Sequence, residues 1–572
     1  MQVQRIRQSG AGLFFSCSLV WLMLATVLPT LAASTSSPGL LKLRQTSNTS
    51  ASSTGSLLLV NTTSGKVRGQ QVGSLYTYLG IPFGQSTAGK NRFRAPVPVS
   101  YSYKTLDATQ FGPSCPQLVN NISRLVSSFT DSSPPELDQQ SEDCLSVNVF
   151  VRDTTRAKAS SLTNGKGGAA VLIWIFGGSF QYGTSASSLY NAEDFVSKQD
   201  DLIVVSFNYR TNIFGFPLSP QIRAMDANTG WNRGLQDRDL AIKWVHDNIA
   251  QFGGDPNRIT LFGESAGGVS VDTWAFANAN NPNPIVKGII VQSGAVQGLD
   301  LSLADVSTNW ARPLSSWNLV ANHLLVKCGL KNDAAQLACM QNVDFSVLLD
   351  AVILSGAVFG PSVDNKLYFD DWKGRSSRGQ FAKVPMLIGS NKDEGTILSG
   401  LFLSDITGML TQSSLITPLI FTCPAKQEAN DRATNGVPTW RYLYHGNWDN
   451  MNSGIPQLGA YHFSEVPVVF RTYPAAYLSN PAIPVAIPEQ QTQVSDWMQG
   501  AWAAFARNPQ SGLTAYGWPR YSAFTKSLAH IARNNSATAA FALPDPIDLG
   551  CAVGVPLEST LYTLVRKIAS AL

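Results

Sequence analysis

Thr260-Leu-Phe-Gly-Glu-Ser-Ala-Gly-Gly268 is the stretch of sequence that decides the fold. It contains a Gly-x-Ser-x-Gly pentapeptide centred on Ser265, with an apolar run at residues 259–262 before it and a segment at 266–274 that can open a helix. A strand, a tight turn and a helix in this order are the context of a nucleophile elbow, which lifts the serine hydroxyl to the mouth of a parallel sheet. The chain has 46 glycines, so the bare pentapeptide would also fit a surface loop. The flanking strand and helix favour the elbow.

A serine nucleophile needs a histidine to take its proton and a carboxylate to orient that histidine. In elbow-containing folds the chain order is serine, then acid, then histidine. The acid is expected in a loop after a buried strand. Residues 384–389 read as such a strand, and the loop at 390–395 offers Asp393 and Glu394. The two carboxylates are adjacent, and the pattern alone does not choose between them.

The chain has five histidines, which makes the order testable. His246 precedes the serine and His323 precedes the acid loop, so His445, His462 and His530 remain. The strand predicted at 440–444 ends at His445, and the loop beyond it carries His462. A triad histidine belongs on the loop after the last core strand, which favours His462. The alternative base, His445, otherwise reads as a strand-end histidine that packs or caps.

A glycine-containing loop is placed to form an oxyanion hole. The apolar run at 171–176 predicts a strand buried on both faces, and it leads into Gly177-Gly-Ser-Phe180. Glycines let backbone N–H groups point at a developing alkoxide. The hole would use N–H groups of this loop and of Ala266. An ordinary strand-end turn is the alternative interpretation.

Several further motifs agree in order and spacing with a known family. They are Leu79-Gly-Ile-Pro-Phe-Gly84, Arg92-Phe-Arg94, Ser141-Glu-Asp-Cys-Leu-Ser-Val-Asn148, Asn208-Tyr-Arg210 and Asn248-Ile-Ala-Gln-Phe-Gly-Gly-Asp-Pro256. With them, the chain from about Leu57 onward resembles the type B carboxylesterases and lipases, which include fungal secreted members, animal carboxylesterases and cholinesterases. The resemblance implies an α/β-hydrolase fold, with a large, mostly parallel central sheet flanked by helices.

The resemblance also implies site residues. We expect no cofactor, and no Cys-x-x-Cys or His-x-x-x-His spacing supports a zinc site, the alternative use of the cysteines. The resemblance makes Ser265 the nucleophile, Glu394 the acid and His462 the base. It places the oxyanion donors at Gly178, Ser179 and Ala266. The family usually has a third glycine where this chain has Ser179, and the added side chain could narrow the acyl pocket or restrict the loop. Glu264, beside the nucleophile, is a family feature that we expect to point away from the histidine.

Composition agrees with one large enzyme domain. A chain of 572 residues would allow three or four domains by length alone, but the triad is scattered from Ser265 to His462 and must fold as one unit. We therefore expect a single catalytic domain over residues 56–572. The net charge of +4 is slight and no basic run stands out, so nucleic-acid binding is not expected.

The N-terminal residues predict secretion. Residues 1–33 have the charged start, apolar core and small-residue cleavage region of a signal peptide, and residues 34–55 read as a disordered Ser/Thr-rich leader. An uncleaved anchor is the alternative. No later transmembrane run is found, so we expect a secreted protein without a stable membrane anchor. Four sequons are possible N-glycan sites: Asn48, Asn61, Asn121 and Asn534.

The cysteines fit an oxidising destination. Of seven, Cys17 lies in the signal, and the remaining six allow 15 pairings, among which the sequence does not choose. The resemblance implies Cys115 with Cys144 and Cys328 with Cys339, general in the family. The remaining Cys423 and Cys551 resemble a third bridge of cholinesterase-like members.

The substrate is less determined than the chemistry. Cholinesterases hold the quaternary ammonium with a tryptophan between the first two disulfide cysteines, and residues 116–143 contain none. Ile122, Leu125, Val126 and Phe129 in this segment form one apolar helical face, which fits either a packing helix or a flap over the gorge. We therefore expect the substrate to be a small-molecule or lipid ester. A triglyceride lipase and a non-catalytic binding protein remain alternatives, the second disfavoured by the intact triad.

Overall fold

A computed structural model describes residues 57–118, 136–225, 228–298, 314–324, 328, 333–400, 406–452, 455–473, 486–544, 548 and 551. The predicted signal peptide and leader, Asn48, Asn121 and the apolar face at 122–129 lie outside the described residues.

The described ranges contain fourteen strands. They are β1 (Leu59–Thr62), β2 (Gly65–Arg68), β3 (Gln70–Val72), β4 (Leu75–Pro82), β5 (Ser102–Asp107), β6 (Ser146–Arg152), β7 (Ala169–Ile175), β8 (Leu202–Phe207), β9 (Gly254–Glu264), β10 (Val286–Gln292), β11 (Met386–Asn391), β12 (Thr439–Tyr444), β13 (Leu528–Ile531) and β14 (Ala540–Ala542).

Eleven strands form one sheet, in the order β14-β13-β12-β11-β10-β9-β7-β8-β6-β4-β3. The seven strands from β8 to β13 pair in parallel, and the outer pairs are antiparallel. A second sheet of three strands has the order β1-β2-β5. The predicted fold class, α/β with a large and mostly parallel sheet, is confirmed.

The α-helices vary from four to nineteen residues. They are Asp153–Lys158, Glu193–Lys198, Asn212–Gly215, Pro220–Met225, Arg233–Asn248, Ala266–Ala277, Leu314–His323, Asp333–Asn342, Phe345–Ser355, Trp372–Ser377, Gly395–Gly400, Ile406–Ile416, Cys423–Thr434, Val466–Phe470, Glu489–Arg507 and Gly512–Ala515. A π-helix spans Thr417–Thr422. Short 3₁₀ helices span Gly89–Asn91, Leu137–Gln139, Ala159–Ser161, Ser188–Tyr190, Ile249–Phe252, Val296–Gly298, Pro456–Leu458 and Arg533–Asn535.

The centre of the sheet is apolar because helices pack against its strands. All seven residues of β7 are buried, as expected for a parallel strand with both faces covered. Trp174 on β7 packs against Phe262 on the neighbouring β9, with ring centroids 4.8 Å apart, and against Phe470, 5.0 Å away. Helices Ala266–Ala277 and Glu489–Arg507 both contact β7 and β9.

The parallel strands bring the functional loops to one edge of the sheet. The loops after β7, β9, β11 and β12 carry the predicted oxyanion glycines, the serine, the acid and the histidine. The carboxyl ends of parallel strands lie together, and this is where open α/β sheets bind ligands. One premise of the sequence argument is wrong, because β12 is not the last core strand. β13 pairs in parallel beyond it and comes after His462 in the chain.

Within these ranges, no single helix has both the length and the apolar character needed to cross a membrane. One pair of consecutive helices, Ala334–Asn342 and Phe345–Ser355, reaches that composition only when taken together, and the pair is bent by 114°.

Candidate active site

Ser265 occupies a strained turn between β9 and the helix Ala266–Ala277. Its φ is 55° and its ψ is −125°, a conformation that residues with a side chain rarely adopt. The glycines beside it are required by space. A Cβ on Gly267 would lie 2.0 Å from the carbonyl oxygen of Ile175, and one on Gly263 would lie 2.6 Å from the carbonyl carbon of Gly267. The turn is therefore the elbow that the pentapeptide predicts.

Glu394 and His462 are hydrogen-bonded to each other. Oε2 of Glu394 lies 2.5 Å from Nδ1 of His462. The other oxygen, Oε1, accepts from the Ser293 hydroxyl at 2.5 Å and from the backbone N–H of Asn391 at 2.6 Å. These two donors fix the buried carboxylate at Oε1, so that its other oxygen, Oε2, orients the imidazole.

The neighbouring carboxylate, Asp393, has a different task. Its Oδ2 accepts from the backbone N–H of Ala460 at 3.0 Å, and its own N–H donates to the Ala460 carbonyl at 3.0 Å. A Cβ on Gly459 would lie 2.2 Å from the same Oδ2, so the close approach needs a glycine there. Asp393 holds the start of the histidine loop, and Glu394 reaches the imidazole.

The other histidine candidates pair with each other. Nε2 of His445 lies 2.7 Å from Nδ1 of His530, across the neighbouring strands β12 and β13. Burial, the largest cause, together with the charges of nearby cationic groups, lowers the pKa of His445 to about 3. Burial likewise lowers the pKa of His530. This pair is neutral and packed at neutral pH.

Glu264 does not point away from the histidine, and our expectation for it is wrong. Its Oε1 lies 3.2 Å from Nε2 of His462. The space for its carboxylate comes from Gly177, where a Cβ would lie only 2.9 Å from Glu264 Oε2. The glycine of the oxyanion loop therefore also lets a second carboxylate approach the imidazole.

A third carboxylate, Glu465, lies behind the other two. Its Oε1 accepts from Nε2 of Gln292 at 3.1 Å, and its Oε2 accepts from Nδ2 of Asn391 at 2.6 Å. Gln292 also accepts the backbone N–H of Ser265 at 3.0 Å through its carbonyl. The network thus links the elbow to the acid loop and to the histidine loop.

Burial and nearby charges shift the pKa values of His462, Glu264 and Glu465. Burial alone would lower the pKa of His462, but the charges of Glu264 and Glu394 raise it to about 9. Burial and the charges of Glu465 and Glu394 raise the pKa of Glu264 well above its usual range, although His462 opposes them. Burial and the Glu394 charge raise the pKa of Glu465 to about 7. Perturbed groups of this kind are typical of functional sites.

The loop after β7 lies against the elbow. A Cβ on Gly177 would be 3.0 Å from Cβ of Ser265. The next three residues, Gly178, Ser179 and Phe180, all have positive φ, at 105°, 55° and 60°. None of the described residues accepts a hydrogen bond from the backbone N–H of Gly178 or Ser179. These N–H groups belong to the loop after β7 and that of Ala266 to the helix start beside Ser265, the two segments predicted to supply an oxyanion hole.

Ser179 is exposed, so its departure from the usual third glycine does not fill the interior. The strain of its left-handed φ is offset by the contacts that fix the loop. Tyr209 stacks on Phe176 with centroids 4.4 Å apart and donates its hydroxyl to the Phe176 carbonyl at 2.8 Å. The backbone N–H of Asn212 donates to the Phe180 carbonyl at 2.7 Å.

Six cysteines form three disulfides in the structure: Cys115 with Cys144, Cys328 with Cys339 and Cys423 with Cys551. Two of the predicted sequon residues, Asn61 and Asn534, are exposed. In the part of the chain that the structure describes, no group of three or more His, Cys, Asp or Glu residues is arranged to hold a metal ion.

Sequence reasoning missed Ser293, Asn391 and Glu465. A signal existed for two of them. Ser293 directly follows the buried strand β10, at the sheet edge where the predicted triad loops meet, and Glu465 follows His462 in the same loop. Asn391 ends β11 and gave no separate signal.

The model of the carboxylesterase family matches residues 56–412 and 408–544. The chain belongs to the carboxylesterase family. Among the carboxylesterase relatives, a chlorogenic acid esterase of Aspergillus niger is 33% identical over 82% of this chain and 86% of its own length. "Secreted lipase 5" of Gibberella zeae is 30% identical over 86% of this chain and 93% of its own.

Solved carboxylesterase structures share the architecture. A PNB esterase superposes with a TM-score of 0.68 at 27% identity, covering 87% of this chain and 99% of its own. The para-nitrobenzyl esterase of Bacillus subtilis is 30% identical over 82% of this chain and 93% of its own length. The predictions of an α/β-hydrolase fold and of a carboxylic ester hydrolase are confirmed.

Several carboxylesterase motifs in this chain have a structural use. Arg92 and Glu142 form a buried, two-pronged ion pair at 2.6 and 2.5 Å. Arg210 and Asp237 form another, at 2.8 and 2.7 Å. A buried charge that loses its partner is strongly destabilising. These motifs therefore contribute to the stability of the fold that carries the site.

Proposed function

We propose that this carboxylesterase is a secreted serine hydrolase that acts through an acyl-enzyme, with Ser265 as nucleophile, His462 as general base and Glu394 as the acid that orients it. The observation that carries the proposal is the 2.5 Å hydrogen bond between Glu394 and His462, on loops that flank the strained Ser265 turn. Nucleophile, base and orienting acid on neighbouring loops are the arrangement that acyl transfer requires.

In this mechanism His462 takes the Ser265 proton through Nε2 as the serine oxygen attacks the ester carbonyl. Backbone N–H groups of Gly178, Ser179 and Ala266 stabilise the oxyanion. His462 then protonates the leaving alcohol, and a water molecule attacks the acyl-enzyme by the same route. In the resting arrangement Nε2 lies 3.2 Å from Oε1 of Glu264, and Nε2 must be unprotonated before it can accept the Ser265 proton.

Labelling with a fluorophosphonate probe tests the nucleophile directly. We expect one adduct, carried by Ser265 within the tryptic peptide 259–287 that cleavage after Arg258 and Lys287 releases. Ser270→Ala removes another buried serine of the same peptide and should leave labelling unchanged. If folded, secreted protein takes no label, the alternative of a non-catalytic binding protein gains support instead.

The pH profile tests the role of Glu264. A general base must be neutral, and the pKa of His462 is raised to about 9, so kcat/KM should rise with pH up to about that value. Glu264→Gln removes one of the charges that raise this pKa, and the acidic limb should move to lower pH by about one unit or more. Glu489→Gln, an exposed glutamate, is the matched control. If the acidic limb of the kcat/KM profile does not move in the Glu264 variant, this carboxylate has no influence on the pKa of the general base.

The proposed location is extracellular. A secreted lipase among the relatives and three disulfides support it, together with the signal-like residues 1–33. For the substrate we propose a soluble ester of a small alcohol or phenol, as the chlorogenic acid and para-nitrobenzyl esterase relatives suggest.

A triglyceride lipase is the second candidate, favoured by the relative named "Secreted lipase 5" and by the apolar helical pattern that the sequence predicts at 122–129. A flap there would bury apolar area at about 25 cal/mol per Å² in water and be released at an oily surface. Rates measured through the solubility limit of a triglyceride distinguish the two. We expect smooth saturation, because the Asn121 sequon would keep one end of this segment hydrated, and a jump at the limit would establish the lipase.

A further inference from the structure

The π-helix Thr417–Thr422 lies between the helices Ile406–Ile416 and Cys423–Thr434. π-Helical turns are rare and frequently occur at functional sites. Thr417 and Phe421 are buried, whereas the three residues between them are half-exposed. Residues four apart lie on the same face of a helix, so both side chains are directed to the interior.

Thr417 contacts the acid loop. Its Oγ1 accepts the backbone N–H of Gly395 at 3.0 Å, and Gly395 directly follows Glu394. The loop is also pressed against the preceding helix, because a Cβ on Gly395 would lie 2.7 Å from Cα of Ser413 and 2.9 Å from Cβ of Ile416. A shift of Thr417 would therefore be transmitted to the backbone that carries Glu394.

Phe421 contacts the histidine. Its ring centroid is 4.9 Å from that of His462, with the planes tilted by 45°. Phe421 is 8% exposed and the His462 side chain is 11% exposed, so the two rings pack against each other in a largely buried environment. The ring limits rotation of the imidazole about the Glu394 hydrogen bond.

The C-terminal end of the π-helix is anchored firmly. The Thr422 carbonyl accepts from Nη2 of Arg441, at 3.2 Å, on the strand that precedes the histidine loop. Arg441 is itself held by an ion pair with Asp548 at 2.8 Å. The disulfide between Cys423 and Cys551 fixes the next residue.

The helix that follows is tied to the elbow. Arg432 lies in Cys423–Thr434 and pairs with Asp272 of the elbow helix at 2.9 Å, and both side chains are fully buried. One continuous segment, 417–432, thus contacts the elements that carry the serine, the acid and the histidine.

We infer that Thr417 and Phe421 are positioning residues, which hold the acid loop and the imidazole in register with each other for proton transfer. This inference rests on the proposed function, because it needs His462 to act as the base. Neither residue takes part in the chemistry. Each acts through the backbone of Glu394 or the ring of His462.

The test compares Thr417→Val, Thr417→Ser and Phe421→Leu, with the active fraction of each titrated by the fluorophosphonate probe. Small displacements of reacting groups can lower rates by one to two orders of magnitude. We expect kcat per titrated site to fall about tenfold in Thr417→Val and Phe421→Leu. KM should stay within about twofold, and the rate constant of phosphonylation should fall by the same factor as kcat. Thr417→Ser keeps the accepting hydroxyl and should restore the rate.

Phe369→Leu is the matched control. Phe369 is 6% exposed and packs against Trp372 at 5.5 Å, away from the triad loops, so its loss should lower stability without changing kcat per titrated site. Unchanged kcat per site in the Thr417 and Phe421 variants would reduce both residues to a structural role and overturn the inference. So would a loss that depends on acyl length between acetate and octanoate esters, since it would make them pocket walls. Failure of the proposed function is recognised separately, by activity that survives in Ser265→Ala.

Discussion

Replacing Ser265 with alanine should lower kcat for a chromogenic short-chain ester by about 10⁶-fold, the scale of nucleophile removal in other triad hydrolases. The strained turn at Ser265 lies against the loop after β7, where a Cβ on Gly177 would be 3.0 Å from Cβ of Ser265, and in the proposed mechanism the Ser265 hydroxyl is the attacking group. A residual rate of about 10³-fold or more over water is expected, because the backbone donors and substrate binding remain. The measurement is steady-state hydrolysis by purified protein of verified fold.

Ser270→Ala is the control for this variant. Ser270 is buried in the helix Ala266–Ala277 that follows Ser265, and its replacement should keep wild-type kcat and KM. Retention of most activity in Ser265→Ala, with the control equally active, would remove Ser265 from the mechanism and require another nucleophile.

Replacing His462 with alanine should reduce kcat nearly as far, by about 10⁶-fold, because triad members act as a unit. His462 is the histidine that contacts Glu394, and its Nε2 lies at the edge of the sheet where Ser265 is raised. Without it, the proposed nucleophile loses its general base, and Glu394 and Glu264 face a cavity. The variant should still fold, which circular dichroism and thermal unfolding can check.

His445→Ala is the matched comparison, and it should affect stability instead. The change leaves the buried His530 without its 2.7 Å partner, and an unsatisfied buried group costs about 1–3 kcal/mol. The variant should keep kcat within about threefold, since His445 touches none of the reacting groups. The opposite pattern, with an inactive His445 variant and an active His462 variant, would mean that the base has been assigned to the wrong loop.

The His445–His530 pair also predicts an acid sensitivity. The pKa of His445 is about 3 in the folded protein against 6.5 for an ordinary histidine. Between these two values the unfolded chain binds a proton that the folded protein does not, so the free energy of unfolding decreases as the pH falls from 6.5 toward 3. The midpoint of unfolding by heat, followed over this pH range, should depend less steeply on pH in the His445→Ala variant.

The elbow was predictable from sequence because its requirements are local. A Cβ on Gly263 would lie 2.6 Å from the carbonyl carbon of Gly267 within the same turn, so the glycines around Ser265 appear in the sequence itself. The central strands were predictable for a similar reason, since burial on both faces requires a continuous apolar run, as in β7. The order of serine, acid and histidine then reduced the candidates to a few residues.

Tertiary structure decided between neighbours that the sequence pattern cannot separate. Asp393 and Glu394 are adjacent and chemically alike, and only the partners distinguish them. Ser293 and Asn391 hold Glu394 toward His462, whereas Ala460 engages Asp393. These partners are distant in the chain or lie on another strand, and no local period encodes them.

The approach of Glu264 to His462 was also decided by the tertiary structure. It depends on the space left by Gly177, which is 87 residues before Glu264 in the chain. The position of β13 beyond β12 likewise follows from sheet pairing over long sequence separation. The sequence by itself therefore determined the family, the elbow and the candidate residues, because backbone geometry and burial act locally. The choice of acid, the second carboxylate on the imidazole and the three-carboxylate network depend on contacts between distant segments, and only the folded chain brings those together.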